Sequence, residues 1–263
     1  MRIDAILSPA EFPGLAQADL TEATCVVLDI LRASSSIVTA LGNGAECVRP
    51  VTEIAEALAL RASNKEYLLA GERDGLRITS AAANGVDFDF GNSPREFLRE
   101  RVSGTTICMT TTNGTRALRS CSQAQKVLAT AFLNLSATCE YLVESNPEKL
   151  IVVCSGTFEE VAYEDVLAAG ALCEMVMEKG VALVLGDAAL TARDTYRQRQ
   201  GSLSQALGRS KNGGRLLRRP ELRDDVDFCA QENVFELVAL MGADGGIRKV
   251  SGWIDVRRGA SPY

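Results

Sequence analysis

Apolar runs of strand length recur along this chain, and most of them are followed by a stretch with helical spacing. The runs lie at Cys25 to Asp29, Glu46 to Pro50, Tyr67 to Gly71, Thr105 to Thr110, Lys126 to Thr130, Leu150 to Cys154 and Val250 to Ile254. The helical stretches are Ser36 to Leu41, Glu53 to Ser63, Arg116 to Ser120, Ser136 to Ser145 and Tyr163 to Lys179. This alternation predicts an α/β fold, layered α/β/α around a largely parallel or mixed sheet. In such folds ligands collect at the carboxyl ends of the strands. The 263 residues suffice for a single α/β unit over 1–263. The alternative division is two α/β subdomains with a break between 120 and 190.

Three of the strand-to-helix loops have the same construction. They read VVLDILRASSSIVTAL from Val26, TTICMTTTNGTRAL from Thr105 and LIVVCSGTFEEVAYEDVL from Leu150. Each ends an apolar strand in hydroxyls, an amide or an Arg and then enters a helix, an arrangement that aims donors at an anion. In the first, Asp29 stands at the strand end with Arg32 and Ser34 behind it. A carboxylate there binds a divalent cation or acts on water, and an Arg pairs with phosphate or carboxylate oxygens. The plainer reading is that Asp29 and Ser34 cap the helix and Arg32 neutralises Asp29. A phosphoaspartate route of the haloacid dehalogenase type wants a second Asp two residues on, where this chain has Leu31. In the second loop Thr111, Thr112, Asn113, Gly114, Thr115 and Arg116 offer more donors than a helix cap needs. The spacing of a nucleotide-binding P-loop is missing. In the third, Ser155, Gly156 and Thr157 follow Cys154, and Glu164 and Asp165 open the next helix, where acidic residues also serve the helix dipole.

What the chain lacks is equally informative. It has no His, which excludes a Ser-His-Asp triad, a Cys-His pair and a phosphohistidine. Any metal would take hard carboxylate oxygens, favouring magnesium, manganese or calcium over zinc. The net charge of −6 argues against nucleic acid or an anionic membrane as partner, so an anion must be held by local groups. The N-terminal stretch has no signal-like apolar run and no run reaches spanning length, which predicts a cytoplasmic protein. The eight Cys are dispersed without a CxxC pair and read as small core residues.

Two segments break the alternation. Asp74 to Pro94 is rich in Gly, Asn and Asp and predicts an irregular loop, functional or disordered. From about 191 to 220 the chain is Arg-rich, with Arg193, Arg197, Arg199, Arg209, Lys211, Arg215, Arg218 and Arg219. It reads either as a solvated excursion or as a cover that brings cations to an anionic substrate.

The string Val26 to Ser34, with Ala40 to Ala45, resembles the first signature of the 2-phosphosulfolactate phosphatase family. So do Gly71-Glu72-Arg73, Gly91-Asn92-Ser93-Pro94, Thr110 to Ala117, Phe132-Leu133-Asn134, Cys154 to Thr157 and Glu164 to Gly170, in the family's order from Asp4 to Leu185. Beyond Ala192 the likeness thins to Ser210 to Leu216 and Asp224 to Ala230, and the family's closing Asp and Val-Pro are not evident in Gln231 to Leu237.

The resemblance implies a magnesium-dependent hydrolase that converts 2-phospho-3-sulfolactate to 3-sulfolactate and phosphate, a step toward coenzyme M in methanogens. The mechanism expected from these loops gives catalytic roles to Asp29, Arg32, Glu72, Asn113 and Asp165, with a metal-activated water and Mg²⁺ held by carboxylates drawn from Asp29, Glu72, Glu164 and Asp165. Substrate binding would fall to Ser34, Arg73, Asn92, Ser93, Thr111, Thr112, Gly114, Thr115, Arg116, Asn134, Ser155, Gly156 and Thr157. Two other classes use the same donors: a phosphotransferase acting on a small anionic ester, and a non-catalytic anion-binding protein. The partner expected in every case is a small polyanionic phosphate ester, and a homodimer is the default assembly.

Overall fold

A computed structural model describes residues 1–180 and 184–250. The strands are β1 (Arg2–Ile6), β2 (Ala23–Leu28), β3 (Cys47–Pro50), β4 (Leu68–Arg73), β5 (Leu76–Arg77), β6 (Thr106–Thr110), β7 (Lys126–Thr130), β8 (Lys149–Cys154), β9 (Val184–Leu185), β10 (Ala239–Met241) and β11 (Ile247–Lys249). The α-helices are α1 (Phe12–Gln17), α2 (Ala33–Gly42), α3 (Ile54–Ser63), α4 (Arg99–Val102), α5 (Gly114–Ser120), α6 (Leu135–Ser145), α7 (Tyr163–Glu178), α8 (Asp187–Arg197), α9 (Leu203–Gly208), α10 (Lys211–Leu217) and α11 (Asp224–Cys229). The strand expected from Val250 to Ile254 lies, apart from Val250, outside the described residues.

All the strands join one sheet in the order β5-β4-β6-β3-β11-β10-β7-β2-β8-β1-β9. It contains two parallel groups, β4-β6-β3 and β7-β2-β8-β1-β9. Between them sits the hairpin of β10 and β11, antiparallel within itself, to β7 and to β3. Three antiparallel steps in succession reverse the strand direction, so the two groups run opposite to each other. In a flat sheet their carboxyl ends would lie at opposite edges. A strand twist of about 20–25° per step accumulates to roughly 100–125° over the five steps from β2 to β6. The contacts show where that leads: the turn after β6 meets the turn after β8, with Phe158 N donating to Asn113 Oδ1 at 3.2 Å and Arg116 paired with Glu159. The carboxyl ends of the two groups therefore face one cleft.

Burial explains why these residues are strands. β2 is buried at all six positions and β8 at five of six, as required of strands covered on both faces. The large core gathers these strands with α2, α6 and α7, and a smaller cluster forms around Val51, Leu69, Ile78, Ala83, Phe88 and Cys108. Part of that cluster corrects the reading of Asp74 to Pro94 as wholly irregular. The segment holds β5, which pairs with β4, and it buries Ile78, Ala83 and Phe88 beside the sheet. A two-residue strand leaves no periodicity to detect.

The Arg-rich stretch is likewise folded. α8 packs along α7, where Arg193 and Arg197 pair with Glu174, and α9 and α10 bury Leu203, Ala206, Leu207 and Leu216 in the main core. Small residues on α7 allow that packing: a Cβ on Gly170 would stand 2.1 Å from the Ala192 carbonyl oxygen. Gly170→Ala is expected to lower stability by about 1–3 kcal/mol through overpacking. Urea denaturation checks this, and an unchanged midpoint would show that the two helices can part at no cost.

Candidate active site

The cleft between the two parallel groups holds a cavity of about 410 Å³. Its wall is built from Asp29 and Arg32 after β2, Glu72 on β4, Asn92 in the segment between β5 and β6, Thr111, Thr112 and Asn113 after β6, and Thr157 and Phe158 after β8. Asn212, Arg215, Arg218 and Arg219 close it from the α10 side.

Asp29 sits where the buried strand β2 ends and is 7% exposed. Its Oδ1 accepts from Ala33 N at 3.0 Å, so the carboxylate does cap α2, while Oδ2 lies against Gly114 on the opposing group. A Cβ on Gly114 would stand 2.7 Å from that oxygen and 2.6 Å from Ala33 Cβ, and only glycine leaves the space. Burial pushes the Asp29 carboxyl up to about 7. The Ala33 N–H opposes this, the charges of Glu72 and Glu164 reinforce it, and Arg32 pulls it back.

Arg32 does not neutralise Asp29. Its Nη1 donates to Asp225 Oδ2 at 2.8 Å and its Nη2 to the Gly75 carbonyl at 2.9 Å, with the Arg32 and Asp225 side chains 3% and 0% exposed. Asp225 also accepts from Ser93 Oγ at 2.7 Å and Arg95 Nε at 2.8 Å. This network binds α11 to the Gly75 and Ser93 loops and leaves Arg32 already balanced. Asp225 stands 193 residues from Arg32 and was not among the expected site residues.

The other carboxylates differ in how fully they are occupied. Glu72 Oε1 accepts from Thr112 N at 2.8 Å and Thr112 Oγ1 at 2.9 Å, and its Oε2 accepts from Gly75 N at 2.7 Å. Asp165 accepts from Ile30 N at 2.8 Å and Gly156 N at 3.1 Å, so it ties the turns after β2 and β8 together. Burial, with the charges of Glu164 and Asp29, holds its carboxyl well above the usual range. Glu164 sits just behind the wall. Asn212 Nδ2 donates to its Oε1 and to Thr157 Oγ1, both at 2.7 Å, while its Oε2 is buried without a partner. Burial raises the Glu164 carboxyl too, against the Asn212 bond.

Several expected ligand residues are turned elsewhere, each for a local reason. Successive strand residues face opposite sides, so with Glu72 in the cavity Arg73 points away, to Thr110 Oγ1 and Thr52 O. Arg116 lies about 200° around α5 from Gly114; it pairs with Glu159 and stands over the Phe12 ring. Ser34 bonds the backbone of Asp29, Ser93 bonds Asp225, and Thr115 Oγ1 donates to the Thr111 carbonyl. Asn134 is buried between Ala131 N and the Leu237 carbonyl, where it holds the C-terminal segment against the turn after β7. Ser155 and Gly156 lie under the wall, the Ser155 hydroxyl buried without a partner. Cys154 is buried and its thiol is pushed far up by burial, as suits a core residue.

The raised carboxyls have a consequence for stability. Between the ordinary Asp value of 3.8 and about 7, native Asp29 keeps a proton that the unfolded chain releases. Stability in chelator is therefore expected to fall as pH rises through that window, because the native state binds more protons. Asp29→Asn should flatten the decline in denaturation midpoints. A slope unaltered by the substitution would contradict the assignment.

Among the described residues no helix is long and apolar enough to cross a membrane. A family model described as 2-phosphosulpholactate phosphatase matches residues 11–243, which carries the likeness through the C-terminal part where single motifs had thinned. Among the similar proteins are relatives that bear the name "Probable 2-phosphosulfolactate phosphatase". One from Pseudothermotoga lettingae is 40% identical over 86% of this chain and 92% of its own. One from Clostridium acetobutylicum is 35% identical over 90% and 96%, and one from Clostridium perfringens 37% identical over 98% and 100%.

Proposed function

The chain belongs to the 2-phosphosulfolactate phosphatase family, and on that premise we propose that it is a phosphoric monoester hydrolase acting on 2-phospho-3-sulfolactate or a similar small phosphorylated acid. The observation that carries this reading is the position of Asp29: a carboxyl held near neutrality at a strand end, on a cavity wall with Thr111 and Asn113.

The chemistry follows from that wall. Hydrolysis of a phosphate monoester asks the protein mainly to position the phosphoryl group and to stabilise its equatorial oxygens. The Thr111 hydroxyl and the Asn113 amide nitrogen are the donors set for those oxygens. Glu72 does not face the phosphate as a free base; it fixes the Thr112 backbone and so the shape of the turn. Asp29 orients the attacking water and accepts its proton as the bond between phosphorus and the ester oxygen breaks, and that proton passes through solvent to the leaving alkoxide, giving the alcohol and hydrogen phosphate. Asp165 acts by holding the Ile30 and Gly156 turns in register.

A magnesium ion suits these donors. The ligating atoms are oxygens, and Glu164 Oε2 is an orphaned buried acceptor behind the wall. Glu164 is the residue that would hold it, since Asp29 Oδ1 is engaged by Ala33 N and its Oδ2 is assigned to the water. Among the described residues no three acidic or thiol side chains form a ready metal cage. Water and substrate oxygens would complete the shell, as magnesium tolerates. When bound, the ion supplies charge neutralisation at the phosphoryl oxygens.

Phosphate release from 2-phosphosulfolactate, phospholactate and phosphoglycolate, each in magnesium and in EDTA, tests the reading. Metal-dependent turnover, fastest on the sulfonated ester, is expected. Asp29→Asn should lower kcat by about 100-fold or more while the protein stays folded. Full activity of that variant would remove Asp29 from the reaction. Absence of release from all three esters would favour a transferase or an anion sensor.

A further inference from the structure

The charges on the cavity wall are segregated. Asp29 and Glu72 occupy the end formed by the strands, whereas Arg215, Arg218 and Arg219 stand together on the side formed by α10 and the residues just after it. Among the described residues none of these three arginines is ion-paired. Glu160 is paired with Lys211, and Asp225 with Arg32 and Arg95, while Asp74 is the one further carboxylate on the wall among the described residues and forms no ion pair with these arginines. Arg219 goes further, since its Nη1 is buried with no hydrogen-bond partner. That nitrogen is shut off from the cavity as well as from solvent, so what Arg219 offers a ligand is the rest of its side chain, which lines the cavity with Arg215 and Arg218.

The segment that carries these arginines is a built element. Ser210 caps α10 by accepting from Gly213 N at 3.0 Å, and Leu216 is anchored in the main core. Arg32, one of the cations expected from the sequence to meet the ligand, is neutralised by Asp225, so Arg215 on α10 with Arg218 and Arg219 just after it supply the positive charge of the wall. A cavity of about 410 Å³ also holds more than a phosphoryl group. The phosphoryl group belongs at the carboxylate end, beside the Thr111 and Asn113 donors. The arginines are left for an acidic group that does not react.

We propose that Arg215, Arg218 and Arg219 form the subsite for the substrate's second acidic group, a sulfonate or carboxylate, and set the preference for phosphorylated acids over simple phosphate esters. This rests on the phosphatase reading for the identity of the substrate. Arg219 makes the central contact, where its fork can take two oxygens of a strong acid.

The test is calorimetric titration of the full-length protein, in magnesium buffer, with 3-sulfolactate and separately with inorganic phosphate. Arg219→Gln is expected to weaken 3-sulfolactate by about tenfold or more while phosphate affinity changes by less than about twofold, because one charge-assisted contact is lost at one end only. Arg215→Gln and Arg218→Gln should each give a smaller loss of the same kind, and Arg219→Lys an intermediate one. The thermal midpoint of Arg219→Gln should hold or rise, since the change removes an unpaired buried donor. Equal weakening of both ligands, no weakening, or a fall in midpoint would overturn the subsite, as would a wild-type protein that does not bind 3-sulfolactate. Wild-type protein that binds 3-sulfolactate through Arg219 yet releases no phosphate from its ester would keep the subsite and overturn the phosphatase reading. Release at the wild-type rate and KM by Arg219→Gln would do the reverse.

Discussion

The site depends on one close approach, the meeting of Asp29 and Gly114. Asp29 ends a strand of the β7-β2-β8-β1-β9 group, and Gly114 opens the helix that follows β6 in the oppositely running group. The reversal imposed by the central hairpin means that neither group alone can build the cavity. The sheet must turn until the two carboxyl ends confront each other, and the residue at the point of contact can carry no side chain. Burying a carboxylate at such a junction is costly, and its Ala33 N–H bond offsets only part of that cost. The remainder appears as an acid held near neutrality, which is the property a proton acceptor for water needs.

A second constraint fixes the other wall. The ion pair of Arg32 and Asp225 lies in the interior, and Ser93 and Arg95 complete the acceptor capacity of Asp225. Removing either partner would strand a buried charge, at a typical cost of about 3–5 kcal/mol. Through this pair the helices after residue 200 are tied to the loop after β2. The α10 arginines thus face the cavity from a fixed frame, and the wall separates into a carboxylate end and an arginine end.

Much of the architecture was legible because the central strands are buried on both faces. Val26, Val27 and Leu28, like Leu150 to Val153, form continuous apolar runs that only a covered sheet explains. β1 went unread because it has no continuous apolar run: Ile3 and Ala5 alternate with Arg2 and Asp4, a period-two strand signal confined to five residues, and β10 and β11 are three residues each. In the site, the turns after β2, β6 and β8 could be found from their composition, since donors cluster there beyond what capping needs. The direction of each side chain could not. Glu72 and Arg73 are neighbours in sequence and enemies in space, and Asn134 carries a suggestive amide that is spent on backbone. The partnership of Arg32 with Asp225 leaves no local trace, because a salt bridge between distant segments has no spacing.

The most direct measurement of whether the two opposed strand groups must meet at Asp29 is the steady-state kinetics of Gly114→Ala on 2-phosphosulfolactate, with circular dichroism to establish that the variant folds. A methyl group there stands 2.7 Å from Asp29 Oδ2 and must displace either the carboxylate or α5. The account predicts a folded protein whose kcat falls far more than its KM rises. A folded Gly114→Ala protein with wild-type kcat would contradict it.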